Sequence, residues 1–379
     1  MKTLAIETSC DDTSLAVVKW TGETFVVEKM ISYSQVKTHQ VYGGVVPEIA
    51  SREHAHQILH VLFHLILWDQ DTVDIQKTEP DDILRSLDDE RIAGFFSSIE
   101  TISVTTTPGL PGSLSVGRAV ADFLSKRFGK PLVPVNHIHG HLFSLLLERN
   151  ISEIEFPMMV LTVSGGHNEL YLVSDKGDHA SSHETLGKYR ITRIGKTLDD
   201  AAGESFDKVS RMLGGPYPGG PWISEQARKW TPREDIEFTR IFLKSTEFNF
   251  SFSGMKSQVH RLLENYKKEW KELTEQDIAD IAREFEESVV EVLAKKLVKS
   301  WMQYKTKTIA VAWGVSANQR LRDYIAEYRE SRVETKVKND KWELVDAVVP
   351  IYLGAPTQRI YCTDNAAMIW TVGLLTNID

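Results

Sequence analysis

The chain opens on two apolar runs separated by a polar turn. Residues 4–20, LAIETSCDDTSLAVVKW, hold an apolar stretch, a small polar turn centred on Ser9, and a second, alternating stretch. Residues 160–175, VLTVSGGHNELYLVSD, repeat that layout around Ser164. Alternation with period two predicts strands, and turns built from Ser, Gly, Thr and Asp predict hairpins. Such turns also leave backbone N–H groups that can hold phosphate oxygens. Two unrelated hairpins would look the same, so the echo suggests duplication without requiring it.

Helical periodicity fills the intervals. In SLSVGRAVADFLSKRF, Val116, Val120, Phe123 and Leu124 form an inward stripe behind the Gly-rich turn TPGLPGS, itself a candidate anion cradle. In DIADIAREFEESVVEVLAKKLVKSWM, the stripe Ile278, Ile281, Phe285, Val289, Val292 and Leu293 predicts a long amphipathic core helix. REHAHQILHVLFHLILW sets His56, His60 and His64 four residues apart, but no acidic or sulfur ligand is placed beside them. That stretch reads as a partly buried helix face. Strands then helices in both halves predict an α/β protein of two lobes around a cleft, an N-terminal lobe over 1–150 and a C-terminal lobe over 151–379.

Bulk properties narrow the class. The 379 residues are 42% hydrophobic and 26% charged, an ordinary globular balance. The longest apolar run, VLFHLILW, is far short of a membrane span. LAIE starts three residues after Met1, which leaves no room for a signal peptide. Cys10 and Cys362 make no disulfide framework, so the expected compartment is the cytoplasm. The net charge of −9 argues against broad nucleic-acid binding. Residues 69–91 hold nine acids and three bases, however, and this acidic insertion leaves the remainder near neutral and free to carry a local basic patch.

Three histidines crowd into VNHIHGHLF. Residues four apart share a helix face and residues two apart do not, so His137 and His141 can grip one ion and His139 cannot join them. Asp364, in YCTDNAAMIW, is a candidate third ligand. Two histidines and a carboxylate with open positions suit iron or zinc. Peptide hydrolysis by a zinc site of the H-E-x-x-H kind needs a glutamate between the histidines, and here Ile138, His139 and Gly140 intervene. Glycine turns after strand-like runs, VSGGH, YPGGP and WGVSAN, point instead to a nucleotide, with Asp207 and Asn318 as candidate ribose or base contacts.

Taken together the motifs are recognisable. IETSCDDTS, HQVYGGVVPEIASREH, TPGLPGSLSVGRA, HIHGHL, VSGGHNEL, DDAAGESFDKVSRMLGGPYPGGP, FSFSGMK, GVSANQRLR and CTDNAAM run in order from residue 6 to residue 368. The chain resembles the tRNA N6-adenosine threonylcarbamoyltransferase family, TsaD in bacteria. The resemblance implies a duplicated actin-like ATPase fold. It implies transfer of a threonylcarbamoyl group from threonylcarbamoyl-AMP to N6 of adenosine 37, in tRNAs that read codons beginning with adenine. It assigns His137, His141 and Asp364 to one divalent metal ion, Fe2+ before Zn2+. It places Thr162, Val163, Ser164, Gly165, Gly166, Asp207, Gly220 and Asn318 at the nucleotide. It brings in partners: a synthase that supplies the adenylate, an inactive paralogue, a small ATPase, and no membrane. Asp11 and Glu7, near the first turn, are the candidate general bases.

The chain departs from the family pattern in places. Trp313-Gly314 stands where a Gly-Gly pair is usual, and an indole there either stacks on the adenine or turns into the core. The 69–91 insertion is longer and more acidic than the usual linker, His139 replaces a residue that is often glutamate, and eleven residues follow Met368. A carbamoyltransferase of the same fold acting on a small molecule is the alternative reading. A non-catalytic scaffold is weaker, since the ligand triad is intact.

Overall fold

The computed structural model of the chain describes residues 1–67, 89–175, 184–229, 236–270 except 242 and 244, 272–338 and 350–375. Most of the acidic insertion therefore lies outside the described residues. The chain folds as two compact units, residues 1–153 with 356–379, and residues 154–355. The contiguous second lobe expected over 151–379 is thus corrected at its end. The last residues return to the first unit because they supply a helix to its core.

In the first unit, β1 (Lys2–Glu7), β2 (Asp12–Trp20), β3 (Phe25–Ser34), β4 (Thr101–Thr107) and β5 (Leu132–Asn136) form a sheet in the order β3-β2-β1-β4-β5. β1 to β3 pair antiparallel as a meander, while β4 joins β1 and β5 joins β4 in parallel. The helices are α1 (Val36–Gln40), α2 (Pro47–Leu67), α3 (Asp89–Ser98), α4 (Pro111–Phe128) and α5 (His137–Phe143). Leu4, Ile6, Leu15, Val17, Ile58, Leu62, Leu65, Phe96, Val104, Ala121 and Leu124 form one buried cluster between the sheet and α2, α3 and α4.

The inward stripe of α4 is rotated from the expected one. Ser113, Leu114, Gly117, Ala121 and Leu124 are buried, and Phe123 is 64% exposed. The cause is Gly117, where an added Cβ would stand 2.4 Å from Thr8 Oγ1. A helix that meets β1 this closely must turn its glycine inward, and the phenylalanine is carried out. On α2, His56 is exposed and His64 buried, a partly buried face as read.

The second unit repeats the plan. β6 (Met158–Val163), β7 (Asn168–Asp175), β8 (Glu184–Leu186), β9 (Tyr189–Lys196), β10 (Thr308–Ala312) and β11 (Ile351–Gly354) are ordered β11-β10-β6-β7-β9-β8. Read from β9, the order β9-β7-β6-β10-β11 has the same antiparallel and parallel joins as β3-β2-β1-β4-β5. Duplication accounts for both hairpins, and β8 is the addition. The helices are α6 (Ala202–Met212), α7 (Gly219–Ala227), α8 (Ser253–Lys268), α9 (Glu275–Tyr304) and α10 (Gln319–Lys338). α9 starts at a capping box in which Thr274 Oγ1 accepts the Asp277 N–H at 3.1 Å and the Asp277 carboxylate accepts the Thr274 N–H at 3.0 Å. Ile281, Phe285, Val289, Val292 and Leu293 on it are fully buried, as their spacing predicts, while Ile278 in the first turn is half-buried.

α11 (Ala366–Leu375) closes the described chain and packs into the first unit. All ten of its residues are buried, so it is apolar all round rather than striped.

Candidate functional site

The predicted metal-ligand residues sit where three elements of the first unit begin or end. α5 begins at His137 because Asn136 Oδ1 accepts the N–H groups of Ile138 and His139 at 2.8 and 3.3 Å. One turn of helix then sets His137 and His141 on a common face. Gly140, between them, lets α11 approach: an added Cβ would lie 3.0 Å from Ile369 Cδ1 and 3.2 Å from Met368 Cγ. Asp364 stands just ahead of α11, whose start is fixed by Ser14 Oγ accepting the Ala366 N–H at 3.0 Å and Asn365 Oδ1 accepting the Met368 N–H at 3.1 Å.

The three side chains converge. His141 Nε2 lies 3.0 Å from Asp364 Oδ1 and 3.2 Å from His137 Nε2, and His137 Nε2 lies 3.6 Å from Asp364 Oδ1. The imidazole planes are 88° apart. Ligands about 2.1 Å from a common ion stand about 3.0–3.5 Å from one another, in octahedral or tetrahedral geometry. The two spacings from His141 fall in that range and the His137–Asp364 spacing lies just above it; among the described residues this is the grouping that could hold a metal ion. The donor set of two imidazoles and one carboxylate fits either ion.

Behind the ligands is a supporting shell. Glu7 Oε2 lies 3.1 Å from His137 Nδ1, with Ser9 Oγ 3.0 Å from the same nitrogen. Glu7 also accepts the Ser9 N–H and the Thr105 hydroxyl, each at 2.5 Å. A carboxylate against Nδ1 fixes the ring's orientation and leaves Nε2 for an ion. Both Glu7 oxygens are therefore engaged inside the protein. Burial pushes the Glu7 carboxyl up, but the His137 imidazole outweighs this and holds it below the usual range. His137 is likewise opposed by burial yet carried up to about 9 by Glu7 and Asp364. Burial, with His137 beside it, drives His141 down to about 4. Asp11 is raised by burial and then by Asp364, and Asp12 is raised to about 8 by burial and then by Asp11.

The turn carrying Ser9 and Asp11 is gripped from two sides. Leu110 donates its N–H to Ser9 O at 2.8 Å, and a Cβ at Gly109 would stand 2.7 Å from that oxygen, so the Gly-rich turn serves close packing. From α2, buried His54 meets Thr13 Oγ1 at 2.7 Å and Cys10 O at 3.0 Å. Thr105, Ser9 and His54 had no spacing signal in the sequence. His139 is 8% exposed and stays outside the triad.

The predicted nucleotide residues all fall in the second unit. Thr162 and Val163 are buried within β6, and the turn proper is Ser164 to His167. Ser164 Oγ accepts the N–H groups of Gly166 and His167 at 3.2 and 2.9 Å, so part of the supposed phosphate cradle is spent on the turn itself. Gly165, Gly166 and Gly220 border open space. Asp207 Oδ1 accepts the Gly219 N–H at 2.6 Å and joins α6 to the start of α7. Asn318 is committed internally: its Oδ1 accepts the Leu321 N–H at 2.8 Å and its Nδ2 donates to Glu286 Oε1 at 2.8 Å and Ser224 Oγ at 3.1 Å.

Fold and site define a duplicated actin-like ATPase-fold protein whose first unit gathers two histidines and an aspartate around one point. Comparison gives the particular family. The model of the family described as TsaD, tRNA N6-adenosine threonylcarbamoyltransferase, matches residues 26–70 and 93–371. The enzyme of that name from Geobacillus thermodenitrificans is 39% identical over 98% of this chain and 90% of its own length. The Bacillus subtilis enzyme is 37% identical over 99% of this chain and 90% of its own. Among solved structures, HypF from T. kodakarensis shares the fold with a TM-score of 0.52 at 12% identity, over 98% of this chain and 47% of that one. The chain belongs to the tRNA N6-adenosine threonylcarbamoyltransferase family, and it is a transferase acting on tRNA. Among the described residues no helix is long and apolar enough to cross a membrane.

Proposed function

We infer that the threonylcarbamoyl group comes from threonylcarbamoyl-AMP and passes to N6 of adenosine 37, and that the transfer depends on a divalent ion held by His137, His141 and Asp364. The observation that carries this is the convergence of their ligand atoms, with Glu7 and Ser9 behind His137. A bound ion with open positions would supply a Lewis acid and a template for the donor's oxygens. The protein's own part is positioning. Glu7 and Ser9 hold the His137 ring, the capped start of α11 holds Asp364, and the Ser9 turn presents Asp11. Asp11, partly buried with its carboxyl raised, is the candidate to take the proton from the attacking amine. In the second unit the open glycine turns and the Asp207–Gly219 link support an adenylate site. We extend the reading to a cytoplasmic enzyme working with an adenylate-forming synthase, an inactive paralogue and a small ATPase.

His141→Ala tests it. The account expects loss of the modified nucleoside, read by mass analysis of digested tRNA, with tRNA affinity largely kept. Full modification by that variant would overturn the metal assignment.

A further inference from the structure

Trp313 stands where β10 ends. β10 runs parallel to β6 with Ala312 opposite Thr162, so Trp313 leaves the sheet beside the Ser164–His167 turn. Its backbone has φ 77° and ψ 177°. Glycine takes that conformation readily, whereas a residue with a Cβ is strained there. The indole is half-buried, and its plane lies within 14° of the exposed His167 imidazole, ring centroids 6.0 Å apart. Around these rings the backbone is bare: a Cβ on Gly165, Gly166 or Gly314 would meet nothing within 4 Å. Two near-parallel aromatic rings therefore border an unobstructed glycine turn.

We propose that Trp313, with His167 beside it, is the surface on which the adenine of the adenylate donor stacks. The proposal rests on the reading of the second unit as a nucleotide site and names the group that recognises the base there. A base of any kind can stack on an aromatic ring because every base has a π-face. The ring offers a π-face and no hydrogen-bond code, so it would hold a purine while the glycine turn leaves room for ribose and phosphate.

The test is calorimetric titration of the full chain, as parent, Trp313→Gly and Trp313→Phe, with AMP and separately with ribose 5-phosphate. Trp313→Gly is expected to weaken AMP binding about tenfold or more, and Trp313→Phe to stay within about threefold of the parent. Ribose 5-phosphate should bind all three alike. The glycine variant should melt no lower than the parent, since it relieves the strained backbone. The change in indole emission on adding AMP should disappear in Trp313→Phe although binding persists. Equal AMP affinity in parent and Trp313→Gly would overturn the stacking role alone. A parent that binds no AMP would overturn the nucleotide reading and the stacking role with it. Weakened tRNA binding with unchanged AMP affinity would assign the ring to RNA and overturn the proposal.

Discussion

Glu7 shows how a single buried carboxylate can govern a site it does not line. It holds Ser9, Thr105 and His137 at once, so His137 cannot turn without breaking its contacts. Replacing it by glutamine keeps the volume but removes the charge that orients the imidazole. Glu7→Gln is expected to lower metal affinity about 10–100-fold with the circular dichroism spectrum unchanged, measured by competition with a chelator. Unaltered affinity would return Glu7 to the general-base reading. At this scale the sequence was partly legible. The four-residue spacing of His137 and His141 follows from helix geometry, and Asp364 was readable as a candidate third ligand ahead of an apolar helix, which the resemblance then assigned to the same ion. The shell behind them was not legible, because residues 7, 105 and 137 meet only through the strand order β1-β4-β5, which no local pattern encodes.

Elements carry the next level of the argument. α5 and α11 touch at Gly140, and that contact sets the distance between His141 and Asp364. Gly140→Val should force them apart, costing about 1–3 kcal/mol of stability by urea unfolding and loosening the metal site. In the second unit, Lys296 of α9 is 2% exposed and donates to Glu247 O at 2.9 Å. Burial, with Lys299 nearby, drives its ammonium from 10.5 down to about 8. Between those values the unfolded chain binds more protons than the folded one, so folding stability gains from this group as pH rises through that window. Chemical denaturation from pH 7.5 to 10.5 should show that gain, and Lys296→Met should flatten it. The long stripe on α9 was readable from the sequence because it depends on burial alone. The stripe on α4 was misread because one glycine against Thr8 outweighs the hydrophobicity of Phe123.

On the scale of the whole chain, duplication is plain in the strand order, where the sequence offered only two similar hairpins. The boundary was misplaced because α11 joins a sheet whose strands lie more than two hundred residues earlier, a non-local pairing with no punctuation in the chain. The predicted ligand triad therefore belongs to one unit, and the predicted nucleotide residues to the other. The proposed mechanism requires an ion at that triad for transfer. The most direct measurement supplies the protein and its companions with purified threonylcarbamoyl-AMP and unmodified tRNA, before and after metal removal, and analyses the nucleosides by mass. Threonylcarbamoyladenosine should form, vanish when the metal is stripped, and return when Fe2+ or Zn2+ is restored. Undiminished product from the stripped protein would contradict the account.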